Sequence, residues 1–446
     1  MSSTERLYSV LIRRNAEAED EIPADRRHTI APNGLRLVLA NALQSSGDQV
    51  VNASTVLPWL FAVLGVPPAL TGVLVPIREA GSMLPQAFLT PLVLRVRYRK
   101  WVFIAGALVQ AGAVAVMAGT AALGEGLAAG LMIVAALAIF ALGRCLCSIS
   151  SKDVQGRTVP KGERGQINGV ATTAAGLVAI TLGLVIRLLG GSDIAAEQLF
   201  WLLALGVVLW LAVAAVYVGI REPVNEQSAS AKSTTNESAS EHKNSFVRMA
   251  TLLRRDKPFR DFVTVRSLLL VSSLSPPFIV TLSVQAGASS LTGLGGFIIA
   301  SGLAALIGGR LFGRFADRSS KKLMSIGAGV ASAVIIVTVG LAALPAVSAD
   351  SWWGNILFVV SYFAVTLMHT GVRVGRKTYV VDMAQGDQRT VYVAVSNSAM
   401  GLILLVTGGL SSLLALVHIA WPLLFLAAMG IIGVVAGARL PEVSRG

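Results

Sequence analysis

The sequence predicts an all-helical membrane protein with twelve transmembrane helices in two six-helix halves. Three observations carry this: the composition, the length of the apolar runs, and the charge of the segments between them. Hydrophobic residues make up 54% of the 446 and charged residues 14%, with a mean hydropathy of +0.70. That is more apolar surface than the core of one soluble domain accommodates. A helix needs about 20 apolar residues to cross the hydrocarbon, where only helices and closed barrels satisfy their backbone groups. Runs of helical length fall at approximately 34–64, 69–94, 101–123, 127–148, 166–190, 197–219, 258–284, 290–316, 323–345, 354–376, 392–417 and 419–441. Lys and Arg outside these runs gather in 1–33, 95–100, 150–165, 221–260, 317–322, 375–389 and the C-terminal tail, whereas the turns near 65–69, 124–126, 191–197, 284–290, 346–353 and 418 carry none. This alternation is the positive-inside pattern, which puts both termini and the central loop in the cytoplasm and the chain in the cell (inner) membrane.

The organisation follows from the same pattern. Residues 1–33 mix both charge signs without the apolar core of a cleavable signal and read as a cytoplasmic N-terminal tail. Residues 34–220 form the N-terminal six-helix half, 221–257 a cytoplasmic linker, 258–441 the C-terminal six-helix half and 442–446 a short cytoplasmic tail. The linker contains EQSASAKSTTNESASEHKNS, too poor in apolar residues to fold, followed by SFVRMATLLRRD. There Phe246, Met249, Leu252 and Leu253 share one helical face and Arg248, Arg254 and Arg255 are available to lipid headgroups, the pattern of an interfacial amphipathic helix. The halves echo each other: Lys152 and Arg164 are spaced as Lys377 and Arg389 are, and the basic pairs Arg99-Lys100 and Lys321-Lys322 follow the second and eighth runs.

Several function classes drop out. A net charge of +13 beside apolar spans meets headgroups and holds orientation, and no recognition motif accompanies it, so no nucleic-acid partner is expected. Cys145 and Cys147 have no His or further Cys nearby and read as small buried hydrophobes, leaving no metal site and no cofactor. The four histidines are scattered, and the chain lacks HExxH, GxxxxGK[ST] and GxSxG, so it is not expected to be an enzyme.

Polar residues inside the spans are the candidate chemistry. Asn41, Gln44, Ser45, Asp48, Asn52 and Thr55 recur every three or four residues in the first span, which makes one face of that helix hydrophilic through the membrane. Such a face lines a watery cavity or a polar seam. Asp48 and Glu79 lie deep in their spans, where a desolvated carboxylate can load and release a proton; the competing reading for either is an ion pair, most obviously with Arg78. The tenth span carries a second stripe, Tyr362, Thr366, His369, Thr370 and Arg373, with His369 able to contact a solute or a backbone carbonyl. Arg266 precedes SLSPP, whose Pro276 and Pro277 remove backbone donors and bend the seventh span; it can hold an anion, or snorkel or pair with Asp261. Pro76, Pro85 and Pro91 mark hinges or tolerated kinks in the second span.

From Gly313 to Lys322 the sequence reads GRFADRSSKK. This resembles the cytoplasmic signature G-x-L-A-D-R-x-G-R-K of the major facilitator superfamily, with Ser320 at the second glycine. The resemblance implies a transporter fold over about residues 34 to 441 and a self-sufficient monomer. It also implies that Asp317 and Arg318 help lock the halves, the acid engaging a helix N-terminus in the other half. The equivalent stretch after the second span, PLVLRVRYRK, has Arg95 where the acid stands, and the fifth span lacks the glycine-proline pattern of many antiporters. The expected function is secondary transport of a small organic solute by alternating access, coupled to protons. Asp48 and Glu79 are the expected coupling residues, Arg78, Asp317 and Arg318 the gating residues, and Asn52, Arg266 and His369 the solute contacts. A drug or metabolite efflux antiporter and a passive facilitator use the same scaffold, and a lipid flippase or membrane-protein assembly factor is the reading from another class.

Overall fold

The computed structural model describes residues 3–12, 14, 19, 27–160, 163–189, 196–223, 254–287, 291–344, 347, 351–383 and 388–443, and the described residues fold into helices joined by turns. In chain order these are α1 (Ser3–Leu11), α2 (Ile30–Val50), α3 (Val56–Val63), a 3-10 turn at Pro68–Leu70, α4 (Thr71–Met83), α5 (Gln86–Leu94), α6 (Arg99–Leu123), α7 (Gly126–Thr158), α8 (Arg164–Leu189) and α9 (Ala196–Val218). After the linker come α10 (Lys257–Leu268), α11 (Val271–Leu274), α12 (Pro276–Gln285), α13 (Leu291–Ala342), α14 (Trp352–Met383), α15 (Gln388–Ala415) and α16 (Ala420–Gly437). The expected amphipathic helix near 246–253 lies outside the described residues.

Eight helical stretches among the described residues are long and apolar enough to cross a membrane: Arg99–Leu123, Gly126–Thr158, Gln198–Val218, Lys257–Gln285, Arg318–Ala342, Trp352–Val380, Val395–Ala415 and Ala420–Gly437. The other predicted spans meet shorter or interrupted helices. The first is split at 51–55 into α2 and α3, and the second at Leu84–Pro85 into α4 and α5, where Pro85 removes a backbone donor. The apolar cores of α8 and of the first part of α13 are Gly176–Ile186 and Gly293–Gly308. The backbone is extended at Ser319 (φ −165°), so α13 is two helices meeting there, close to the predicted boundary between the eighth and ninth spans. The seventh span is likewise interrupted at Leu269–Leu270 and again at Ser275, where Pro276 opens α12, giving α10, α11 and α12.

Two predicted loops are shorter than their charge suggested. The helix over 126–158 continues past Lys152, and α14 runs on to Met383, so the intervals around Lys152 and Lys377 are largely helical. SSKDVQGR is compatible with helix, and Arg157 pairs with Asp153 one turn away at 2.9 Å. Loss of apolar character ends a membrane span without ending a helix.

Packing sorts the side chains as a lipid-embedded bundle requires. Phe103 stacks on Tyr217 at 3.5 Å, tying α6 to α9, and Phe140 meets Trp210 edge-on, tying α7 to α9. Gly106 and Gly143 let α6 and α7 approach closely: a Cβ at Gly106 would stand 2.6 Å from the Gly143 carbonyl and one at Gly143 2.7 Å from that of Gly106. Exposed Trp101, Leu108, Val116, Leu205, Val208 and Leu211 project from α6 and α9 as a lipid-facing surface.

The same clasp recurs in each half. The Glu222 carboxylate, just past α9, accepts from the backbone N–H groups of Arg99 (3.0 Å) and Lys100 (2.9 Å) at the start of α6, while Lys100 Nζ donates to the Val218 and Ile220 carbonyls at 3.2 and 2.9 Å. A carboxylate at a helix N-terminus and an ammonium at a C-terminus are both favoured by the helix dipole. In the C-terminal half Ser319 Oγ donates to Glu442 Oε2 at 2.6 Å, and Lys321 Nζ donates to the Ala438 carbonyl at 2.9 Å and to that of Leu440. The predicted tail contributes a packed helix: buried Tyr8 of α1 donates to Glu163 Oε2 at 2.6 Å and packs over Gly34 of α2. Burial and the Glu163 carboxylate hold the Tyr8 phenol well above its ordinary pKa.

Candidate functional site

A cavity of about 290 Å³ lies between the two sets of helices, near the lower end of the roughly 300–1,000 Å³ common for small-molecule sites. Its walls come from both halves: Gln49, Asn52, Ser54, Arg78 and Glu79 on one side, and Arg266, Ser272, Ser301, Tyr362, His369 and Arg376 on the other. Local breaks in the helices supply part of this polarity. Because α2 ends at Val50, the chain turns at 51–55, and Asn52 Oδ1 accepts from Ser54 N–H at 2.8 Å. Gln49 Oε1 accepts from Asn52 Nδ2 and, across the seam, from Ser301 Oγ, each at 3.4 Å. The interrupted seventh span presents Ser272, Ser273 and Pro276 to the same space.

The tenth-span stripe lies wholly on this wall, since Tyr362, Thr366, His369, Thr370 and Arg373 all line the cavity. Arg376, one turn beyond Arg373, joins them. Arg266 is 7% exposed and donates to Ser396 Oγ and, at 3.2 Å, to Asn397 Oδ1, both uncharged acceptors. It therefore neither snorkels nor pairs with Asp261, which is exposed. His369 Nδ1 and Arg266 Nε are buried without a hydrogen-bond partner.

Asp48 lies elsewhere. It is not among the cavity-lining residues; its Oδ1 accepts from Arg78 at 3.1 Å and from Arg144, so one carboxylate is held between two guanidiniums. Asp48 precedes the break, on the same helix as the cavity-lining Gln49, so its face meets a polar packing seam and the ion-pair reading with Arg78 is the one observed. Asp48 belongs to a charged seam joining α2, α4 and α7, while Asn52 and Glu79 face the cavity. Glu79 lines the cavity with Arg78, on the wall opposite the one that carries Arg376.

The chain matches the description Major Facilitator Superfamily over residues 37–360. It belongs to that superfamily. No curated protein matches the chain. Among solved structures, a D-xylose-proton symporter aligns with a TM-score of 0.70 at 14% identity, covering 94% of this chain and 99% of the other. A peptide transporter POT in complex with sulfate gives 0.66 at 12% identity, covering 100% and 99%, and the nucleoside transporter NupG gives 0.64 at 14%, covering 91% and 98%. At these identities the likeness shows the fold alone. This major facilitator is thus a multi-span membrane protein with a transporter fold, and its family and structural neighbours are transporters, not enzymes.

In this major facilitator the halves meet along two glycine-bearing seams. A Cβ at Gly408 of α15 would stand 2.2 Å from Pro76 Cγ and 2.9 Å from the Gly72 carbonyl of α4. On the opposite side, a Cβ at Gly183 of α8 would stand 2.8 Å from the Gly295 carbonyl of α13. Thr281 Oγ1 of α12 approaches Thr71 Oγ1 of α4 at 3.5 Å beside the first seam. The superfamily signature lies on α13, where Arg318 is exposed and the Asp317 side chain falls outside the described residues. Cys145 and Cys147 are buried and unbridged; Cys147 Sγ accepts from Gln110 Nε2 at 3.3 Å. Among the described residues no cluster of His, Cys, Asp and Glu suits a metal ion.

Composition and periodicity did not reveal Arg144, Gln49, Ser301 or Arg376 as site residues. Arg376 was within reach, because it lies seven residues after His369 and so on the same helical face. Arg144 carried no such signal, since its partner Asp48 is 96 residues away.

Proposed function

We propose that this protein is a proton-coupled secondary transporter that moves a small organic solute by alternating access. In this proposal the protein has twelve membrane spans in two six-helix halves, works as a monomer in the cell's inner membrane, and has its termini and linker in the cytoplasm. The observation that carries it is the polar cavity between halves that each have their own clasp, at Glu222 and Glu442. Two internally braced bodies around one site can tilt past each other, and a solute redistributes the two arrangements by its difference in affinity for them.

Asn52, Arg266 and His369 contact the solute in this reading. Glu79 is the cavity acid that carries the proton, and protonation removes its attraction for Arg376. Asp48 contributes from behind the wall: its charge holds Arg78 and Arg144, and its protonation would free both for rearrangement. Arg78 is accordingly a gating residue, and Asp317 with Arg318 forms a lock at the cytoplasmic end. Proton symport is also the activity named for the D-xylose-proton symporter, whose fold this chain shares.

The test is uptake into liposomes containing purified protein, with and without an imposed pH gradient, over a panel of sugars, nucleosides, amino acids and organic acids. Gradient-driven uptake that is lost in Glu79→Gln while counterflow exchange persists supports the assignment. Uptake indifferent to the gradient in the unsubstituted protein refutes coupling.

A further inference from the structure

The C-terminal wall of the cavity carries more positive charge than its surroundings neutralise. Arg266, Arg373 and Arg376 all line it, and among the described residues the acid whose charge reaches them is Glu79 of the facing half, through Arg376. Arg266 itself is influenced by another cation, Arg376, and His369 by Arg373 and Arg376. None of the described ion pairs involves these three arginines. The N-terminal wall differs, because there Arg78 already has Asp48.

Burying a guanidinium against neutral acceptors is costly, and the cost is relieved when an anion arrives. Arg266 has spent donors on Ser396 and Asn397, which fix its head, and it keeps an unpartnered Nε in a position more than nine-tenths buried. His369 Nδ1 is a second unpartnered polar atom on the same wall. A guanidinium presents planar paired donors that match the two oxygens of a carboxylate or phosphate. The remaining lining includes the amide and hydroxyl groups of Gln49, Asn52 and Ser301, the apolar contacts Met400 and Leu404, and the charged Arg78 and Glu79 of the facing wall.

We infer that the solute is a small organic anion whose carboxylate or phosphate binds at Arg266, Arg376 and His369, with its body directed toward Gln49, Asn52 and Ser301. This rests on the transporter reading and specifies its substrate class. The anion and the Glu79 carboxylate compete for Arg376, so an arriving anion promotes proton uptake by Glu79. Anion and proton therefore enter together.

The experiment measures thermal stabilisation of the purified full-length protein by succinate, glycerol 3-phosphate and inorganic phosphate, against glucose, uridine and choline, followed by liposome flux of the same compounds. Stabilisation by at least one anion and by none of the neutral or cationic probes is expected, since a ligand selective for the folded state raises its apparent stability. Arg266→Gln and Arg376→Gln should each weaken that anion's binding by about ten- to a hundredfold, the worth of a hydrogen bond to a charged group. Because either variant can misfold, the wild-type charge preference stands as an independent criterion. Stabilisation and flux of glucose, uridine or choline without any anion effect overturns the anion assignment and leaves the transporter reading intact. Anion binding without flux of any probe supports the site and removes the transporter reading. Absence of stabilisation by all three anions overturns the site, and movement of a fluorescent anionic phospholipid between leaflets in that case assigns the arginines to a lipid headgroup.

Discussion

Substitution of Gly408 by alanine tests whether the seam between α4 and α15 is a surface that must part during the working cycle. The added methyl would stand 2.2 Å from Pro76 Cγ and 2.9 Å from the Gly72 carbonyl, and the latter is backbone that no rotamer change can move. Overpacking of this kind costs about 1–3 kcal/mol. The strain exists only while the halves touch there, so it raises the energy of the present arrangement and leaves one with that seam parted unaffected. The ratio of the two populations should therefore shift by about 5- to 150-fold. Spin labels at Glu125→Cys and His418→Cys, exposed turns of the N- and C-terminal halves, report the separation by pulsed electron resonance, and the native Cys145 and Cys147 are buried. Gly408→Ala should add a longer-distance population to the distribution seen with Gly408. An unchanged distribution from a monodisperse, folded variant would show that the seam does not part, and the alternating-access argument would fail at that contact.

Three further outcomes follow from the polar contacts. Asp48→Asn leaves Arg78 and Arg144 without their shared carboxylate and should destabilise the protein by about 3–5 kcal/mol, seen as a lower unfolding temperature, with partial recovery in Asp48→Asn combined with Arg144→Gln. No recovery in the double variant would mean that the triad is not an electrostatic unit. Glu222→Gln weakens the cap on α6 and should cost about 0.5–2 kcal/mol, with hydrogen exchange speeding at the Arg99 and Lys100 amides. Tyr8→Phe removes the hydrogen bond to Glu163 and should release α1, raising protease cleavage within residues 3–12 while the unfolding temperature of the remaining bundle stays put.

Sequence legibility depended on whether the signal was local. The tenth-span stripe was readable because α14 is unbroken from Trp352 to Met383, so angular counting from Tyr362 to Arg373 holds along its length. In the first span Asn52 reached the cavity by the turn after Val50, whereas Asp48, still within α2, took the ion-pair alternative with Arg78, because period counting groups residues on a face without telling whether that face meets a cavity or a polar seam. Pro276 and Pro277 correctly marked a bend, since the missing donors act where the prolines stand. Charge alternation located the connections but not the helix ends, as the helical continuation through Lys152 illustrates. Partners chosen by tertiary packing were illegible: nothing local announces that Arg144 meets Asp48 or that Ser301 meets Gln49. The Gly313–Lys322 signature did announce the superfamily, because it is a contiguous motif.

The paired clasps at Glu222 and Glu442 have a bearing on how the chain is assembled. Each ties the last helix of a half to the start of a helix in that same half, and neither reaches across the central seam. Covalent continuity through 224–253 is then dispensable for closing either bundle. Two fragments cut within that tract and synthesised side by side should each mature independently and find each other in the bilayer.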